Sequence, residues 1–160
     1  MITLTKSNAE FKYKVVEKFG GEGLSRCFAC GTCTAGCPVR EIEKTYNPRR
    51  IIRLAILGFK DLVLKSDFVW LCSGCYTCTE RCPQDVRLTD VMNVLKNLAV
   101  EEGFIHPSFV AQIDALKKNG ALYEIGDFEN KKRSGLDLPK IIRGPKPIQK
   151  IIKRTIKKIG

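Results

Sequence analysis

The chemistry of this chain is carried by its eight cysteines, which fall into two copies of one motif. Each copy has the spacing Cys-x2-Cys-x2-Cys-x3-Cys-Pro. The cysteines are Cys27, Cys30, Cys33 and Cys37 in the first copy and Cys72, Cys75, Cys78 and Cys82 in the second. Three thiolates at two-residue spacing can bind three irons of one four-iron cubane, whereas the fourth ligand must come from elsewhere in the chain. The motif therefore predicts iron–sulfur clusters.

The last cysteine of each copy predicts how the two halves are connected. In bacterial sequences of this spacing, the cysteine before the proline ligates the other cluster of the pair. We therefore expect two [4Fe-4S] clusters with crossed ligation. Cluster one would take Cys27, Cys30, Cys33 and Cys82, and cluster two would take Cys72, Cys75, Cys78 and Cys37. Because each half of the repeat would touch both clusters, they would lie close enough for electron transfer.

Structural zinc is the main alternative, because it also uses cysteine pairs at two-residue spacing. A tetrahedral zinc site needs two such pairs, and it leaves a third cysteine and a Cys-Pro without a purpose in each copy. Under this alternative the chain would be a binding module that uses metal only for shape. Disulfides are disfavoured, because residues 1–6 show no export signal and a cytoplasmic location is expected.

Two arginines adjoin ligands that we assign to the same cluster. Arg26 precedes Cys27, and Arg81 precedes Cys82. Cations near the sulfurs would favour the reduced, more negative state and raise the potential of cluster one. The alternative is that both guanidinium groups are solvated or paired with an acid such as Glu80.

The elements that must position these motifs are helical in pattern. The segment 7–10, Ser-Asn-Ala-Glu, predicts a capping box ahead of a helix that reaches Phe19. Asn47 and Pro48 predict the start of another helix between the two motifs. Apolar residues at helical spacing also mark 91–98 and 109–116, and no stretch alternates with period two. We therefore predict an all-α fold with cysteine-bearing loops between helices.

The net charge of +11 is concentrated near the C-terminus. Residues 131–160 hold eleven Lys and Arg and one acid, and therefore ten of the net positive charges. We expect a cluster-binding domain over 1–125 and a basic extension over 126–160. Within the extension, 148–159 would place isoleucines on one helical face and cations on the other, which favours docking on an acidic partner subunit. An anionic membrane surface, nucleic acid and a disordered solubilising tail are the alternatives.

The chain resembles the C subunit of heterodisulfide reductase and, more broadly, the α-helical ferredoxin domains of succinate dehydrogenase and related anaerobic dehydrogenases. The resemblance covers roughly 10–120. It rests on both cysteine motifs, on Asn47-Pro48-Arg49 between them and on Trp70-Leu71-Cys72 at the second. The chain lacks the further cysteine set of a plant-type cluster domain and the adjacent cysteines of the disulfide-cleaving B subunit, which favours the separate C subunit.

The resemblance implies a function in electron transfer. A C-type subunit would carry electrons between a flavin-containing A-type subunit and a disulfide-reducing B-type subunit. The complex would reduce the mixed disulfide of coenzyme M and coenzyme B during methanogenesis, and a hydrogenase or formate dehydrogenase would join a larger assembly. No nucleic-acid or membrane partner is expected, and no catalytic residue, because every cysteine serves as a ligand. The alternative is an iron–sulfur subunit of another anaerobic dehydrogenase or disulfide reductase.

Overall fold

The computed structural model describes residues 7–141, 149–151 and 154, and within these ranges the chain forms helices and no strand. The predicted all-α class is confirmed. None of the described helices is long and apolar enough to cross a membrane. Most of the basic amphipathic segment predicted at 148–159 lies outside the described residues.

The chain divides into two units, 1–104 and 105–160. The boundary at 125 was inferred from charge and stays a prediction. The first unit contains α1 (Glu10–Val16), a 3₁₀ turn (Glu22–Arg26), α2 (Thr32–Ala35), α3 (Pro38–Ile42), α4 (Pro48–Ile56), α5 (Lys60–Leu64), α6 (Phe68–Leu71), α7 (Thr77–Glu80) and α8 (Leu88–Glu101). The second unit contains α9 (Pro107–Asn119) and α10 (Asp127–Ser134).

Helix α8 lies at the centre of the first unit. It contacts α1, α5, α6, α7 and the 3₁₀ turn. Its apolar residues recur at steps of three and four, so one face of the helix is buried. The fully or nearly buried residues of α8 are Leu88, Thr89, Val91, Met92, Val94, Leu95, Leu98 and Ala99. Cysteines of both motifs pack against this core.

Helix α4 begins as the sequence predicted. Asn47 caps it, because its side-chain Oδ1 accepts the N–H of Arg50 at 2.9 Å, and Pro48 occupies the first helical position. Ile51, Ile52 and Ala55 then face the core. The cap is important for the site, because it holds the start of α4 beside the first cysteine motif.

The start of α1 differs from the prediction. Ser7 and Glu10 form no capping box. Instead Asn8 Oδ1 accepts the N–H of Glu10 at 2.9 Å. A tertiary contact accounts for the difference. The N–H of Asn8 donates to the carbonyl of Gly58 at 2.8 Å and holds the backbone at Asn8, one residue after Ser7. The predicted extension to Phe19 is also wrong, because α1 ends at Val16 and Phe19 is 95% exposed.

In the second unit, α9 has clear signals at both ends. His106 caps its start, with the ring Nδ1 accepting the N–H of Ser108 at 3.3 Å. Gly120 follows its end with φ +69°, a left-handed conformation that glycine adopts without strain. The only histidine of the chain therefore has a structural position.

Candidate metal centre

The two cysteine motifs meet where α2 contacts α7. The thiols surround two neighbouring pockets, each of which takes three cysteines from one motif and one from the other. The first pocket is lined by Cys27, Cys30, Cys33 and Cys82, and the second by Cys37, Cys72, Cys75 and Cys78. Leu88, at the start of α8, lines both. Within the described part of the chain, no group of His, Cys, Asp or Glu side chains converges closely enough to hold a single metal ion.

The donor set fits an iron–sulfur cluster. Each pocket offers four sulfur donors in a mostly apolar wall, and soft thiolates are the ligands that such clusters use. These are also the two sets of four that the sequence assigned to clusters one and two. The ligand assignment itself remains a proposal, which we develop below.

The thiols differ in exposure and therefore in pKa. Cys30 and Cys75 are exposed, and side-chain hydrogen bonds with Thr32 and Thr77, respectively, lower their pKa values, with backbone N–H groups adding to the effect. Burial raises the pKa of Cys33 to about 11 and also raises that of Cys78. Without a cation the inner thiols therefore keep their protons, so metal binding has to displace protons from them.

The cysteine loops need two left-handed residues per motif. Ala29 and Gly74, at equivalent positions, have φ +61° and +68°. Gly31 and Tyr76, also equivalent, have φ +92° and +61°. Only one of the two positions is glycine in each motif. It is the second position in the first motif (Gly31) and the first position in the second motif (Gly74). Both glycines meet this turn requirement, because glycine adopts positive φ without strain.

A threonine after the third cysteine of each motif accepts a hydrogen bond from the first turn of a later helix. Thr34 Oγ1 accepts the N–H of Arg49 at 3.0 Å, and Thr79 Oγ1 accepts the N–H of Thr89 at 3.3 Å. Arg49 and Thr89 are each the second residue of their helix, α4 or α8. The repeat therefore extends beyond the cysteines to the starts of α4 and α8. Sequence analysis missed this, although threonine follows the third cysteine in both copies.

The two pockets differ at this equivalent position. Arg49 lines the first pocket, and its Nη1 donates to the carbonyl of Ala29 at 3.5 Å. Thr89 lines the second pocket, with its hydroxyl 3.6 Å from Cys78 Sγ. Because the hydroxyl of Thr79 donates to that of Thr89 at 3.3 Å, the Thr89 hydroxyl can donate its own proton to a thiolate at Cys78. A cation thus adjoins the first pocket and a hydroxyl donor the second.

Tyr46 is a further neighbour of the second pocket that sequence analysis missed. Its ring is 1% exposed and lines the pocket, and it is hydrogen-bonded to the Cys72 side chain. Burial raises the pKa of Tyr46 strongly, and negative charge on Cys72 and Cys37 adds to this. The phenol therefore stays protonated and able to donate to sulfur.

The two arginines that sequence analysis selected line neither pocket. Arg26 forms an ion pair with Asp85 at 3.4 Å, not with Glu80. Arg81 lies over Gly36, where a β-carbon would come within 2.6 Å of its guanidinium. A role for either arginine in setting a potential stays a prediction, whereas Arg49 has the more direct position.

Comparisons with known proteins agree with the chemistry of the pockets. A family model described as a 4Fe-4S dicluster domain matches residues 23–86, which span both motifs. The C subunit of the H(2):CoB-CoM heterodisulfide,ferredoxin reductase of Methanothermobacter thermautotrophicus is 38% identical over 91% of this chain and 82% of its own length. The C subunit of the ferredoxin:CoB-CoM heterodisulfide reductase of Methanosarcina mazei is 39% identical over 86% of this chain and 81% of its own length.

A third relative matches over a shorter range. The C2 subunit of the H(2)/formate:CoB-CoM heterodisulfide,ferredoxin reductase of Methanococcus maripaludis is 48% identical over 50% of this chain and 42% of its own length. The chain therefore belongs to the family of heterodisulfide reductase C subunits and is an iron–sulfur protein with two [4Fe-4S] clusters.

Proposed function

We propose that this protein is the electron-transferring subunit of a heterodisulfide reductase complex. It relays electrons between a flavin-containing A-type subunit and a disulfide-reducing B-type subunit, and the complex reduces the mixed disulfide of coenzyme M and coenzyme B. The names of the relatives support the substrate, since they include CoB-CoM heterodisulfide reductases. Two of those names also include H(2) or formate, which supports a hydrogenase or formate dehydrogenase as a further member of the complex.

The observation that carries the proposal is the pair of adjoining pockets with mixed cysteine sets. We propose the crossed ligand assignment on this basis. Cys27, Cys30, Cys33 and Cys82 hold cluster one, and Cys72, Cys75, Cys78 and Cys37 hold cluster two. When bound, the clusters supply one-electron chemistry. The protein contributes the thiolates, the apolar wall around them and the shared side chain of Leu88.

The exposure of one cysteine in each set supports two separate points for electron entry and exit. Cys30 and Cys75 are the exposed ligands of the two sets, so each pocket reaches the surface at one edge. Electron exchange with a partner is fastest where a cluster edge is not covered by protein. A donor at one edge and an acceptor at the other would make the chain a two-step relay. The basic extension at 126–160 would dock on a partner subunit.

Crossed ligation is tested by serine variants of single cysteines in the anaerobically purified chain. Each cluster, once reduced, gives its own EPR signal. Cys30→Ser and Cys82→Ser should perturb the same signal, and Cys75→Ser and Cys37→Ser the other one. If Cys30→Ser and Cys37→Ser instead perturb one signal together, each motif serves a single cluster and the assignment is wrong.

The relay itself is tested in the reconstituted complex. We expect reduction of the A-type flavin to be followed by reduction of the heterodisulfide only when the chain carries both clusters. With Cys82→Ser in place, flavin reduction should continue and heterodisulfide reduction should stop. Unchanged heterodisulfide turnover with this variant would show that electrons bypass the chain.

A further inference from the structure

The solvent side of α4 carries three arginines, which we call the α4 arginine face: Arg49, Arg50 and Arg53. All three are exposed. Their spacing of one, three and four residues places them together on one side of the helix. Across the described ranges, no ion pair includes any of them. The face is therefore a concentrated and unneutralised positive charge in a body that is close to neutral.

Helix stability does not explain these arginines. The first turn of α4 contains no acid, and Arg49 and Arg50 lie in it. A helix N-terminus carries partial positive charge, so an exposed cation there is less favourable than an acid. Departures from local preference of this kind are typical of functional positions. The thiolate-lined pocket accounts for Arg49 but not for Arg50 or Arg53.

An apolar groove adjoins the same face. This groove, the α4 groove, has a volume of about 130 Å³. Its apolar walls are Ile51, Leu54, Leu62, Val63 and Phe68, and its rim includes Arg50, Thr45, Asn47 and Ser66. Cavities of about 150 Å³ hold a benzene molecule, so this groove is large enough for one apolar side chain. Leu62, one of these lining residues, is 47% exposed. An apolar centre with an arginine at its rim is the composition of a binding hot spot between proteins.

We propose that the α4 arginine face and the α4 groove together form the docking surface for an acidic partner subunit that exchanges electrons with cluster one. The partner places carboxylates against Arg50 and Arg53 and one apolar side chain in the groove. Arg49 belongs to this face and also lines the first pocket, where Cys30 and Phe28 are exposed. A protein bound to α4 is therefore adjacent to the open edge of cluster one. The inference rests on the proposed function, because it names a partner for one end of the relay.

The test measures binding of the cluster-loaded full chain to separately purified A-type and B-type subunits under anaerobic conditions. The charge reversal Arg50→Glu/Arg53→Glu should weaken binding to one of them about tenfold or more at low salt, because opposed charges become like charges. At about 1 M salt, where the Debye length is ~3 Å, this variant and the wild type should bind alike. Leu62→Ser should weaken binding to the same subunit at every salt concentration, because it acts on the groove alone.

Two controls separate docking from general charge and from folding. Arg50→Lys/Arg53→Lys keeps the charge and should weaken binding at least several-fold less than the charge reversal, with any remaining loss reporting the guanidinium geometry. Lys12→Glu reverses one charge on α1, just as each arginine substitution reverses one charge on α4. It should have no effect on binding. Iron content and EPR signals should be unchanged in all variants, because none of the altered residues lines either cysteine pocket.

The outcomes distinguish this inference from the proposed function. Wild-type affinity and salt dependence of Arg50→Glu/Arg53→Glu with both subunits, in a chain that still transfers electrons, would overturn the docking surface alone. Absence of electron transfer in the loaded wild type would count against the function. Tighter binding of poly(U) than of either subunit, lost with Arg50→Glu/Arg53→Glu, would assign the face to nucleic acid and overturn the inference.

Discussion

Replacement of Arg49 by glutamine should lower the midpoint potential of cluster one and leave that of cluster two almost unchanged. The guanidinium lines the first pocket, where positive charge favours the reduced cluster. At a separation on the order of 7 Å, one charge acting on one added electron contributes about 0.6 kcal/mol at the dielectric constant of water and about 2.4 kcal/mol at an effective value of 20. These energies correspond to about 25 and 100 mV. Because Arg49 is exposed, we expect a shift in the lower half of this range.

The assay is an EPR-monitored redox titration of the full chain, in which the two cluster signals are followed separately. Arg26→Gln is the matched control, because it removes the same charge beside Cys27 from a side chain that lines neither pocket and faces Asp85. The midpoint potential of cluster one should shift clearly less in Arg26→Gln than in Arg49→Gln. An equal shift in both variants, or equal shifts of both clusters with Arg49→Gln, would refute a local effect of Arg49.

Three further variants test the scaffold around the pockets. Gly74→Ala should lower the free energy of unfolding by roughly 1–2 kcal/mol in urea titration, purely from left-handed strain, because nothing lies within 4 Å of the new β-carbon; a neutral result would contradict this reason. Asn47→Ala should cost about 1 kcal/mol by the same measurement, because α4 loses its cap and Thr34 loses its acceptor. Hydrogen bonding and charge from Lys60 lower the pKa of Glu102 below its ordinary 4.5, so its stabilisation is present above that pH and is lost as the pH falls through the lowered value. The urea midpoint of Glu102→Gln should therefore be lower than that of the wild type at neutral pH, and the two midpoints should converge in acid. A difference that stays constant with pH would exclude the carboxylate as the cause.

The sequence predicted features that depend on local spacing. The start of α4 at Pro48 followed from a cap and a proline, and the helical class followed from apolar periodicity. The grouping of the cysteines followed from the repeat. Each of these is encoded within a few residues, or within one motif and its copy, so no knowledge of tertiary contacts was needed.

The features that the sequence did not predict depend on contacts between distant segments. The capping box predicted at Ser7 is absent, and the neighbouring Asn8 is instead held by Gly58, whose carbonyl accepts its backbone N–H. Tyr46 reached the second pocket only because the core packs it there, and nothing in its neighbourhood marks it. Arg49 was noticed only as part of a helix start. Its position on the pocket depends on Thr34, fifteen residues earlier.

Six of the eight cysteines pack against the hydrophobic core, and only Cys30 and Cys75 stand outside it. The proposed metal sites are therefore part of the interior of the protein and not an attachment to its surface. Oxygen that strips iron from such sites would leave thiols in place of a filled centre and would loosen the packing of α8 at the same time. Chemical damage to the cofactor would then also be damage to the fold, and inactive copies would become easy substrates for proteolysis.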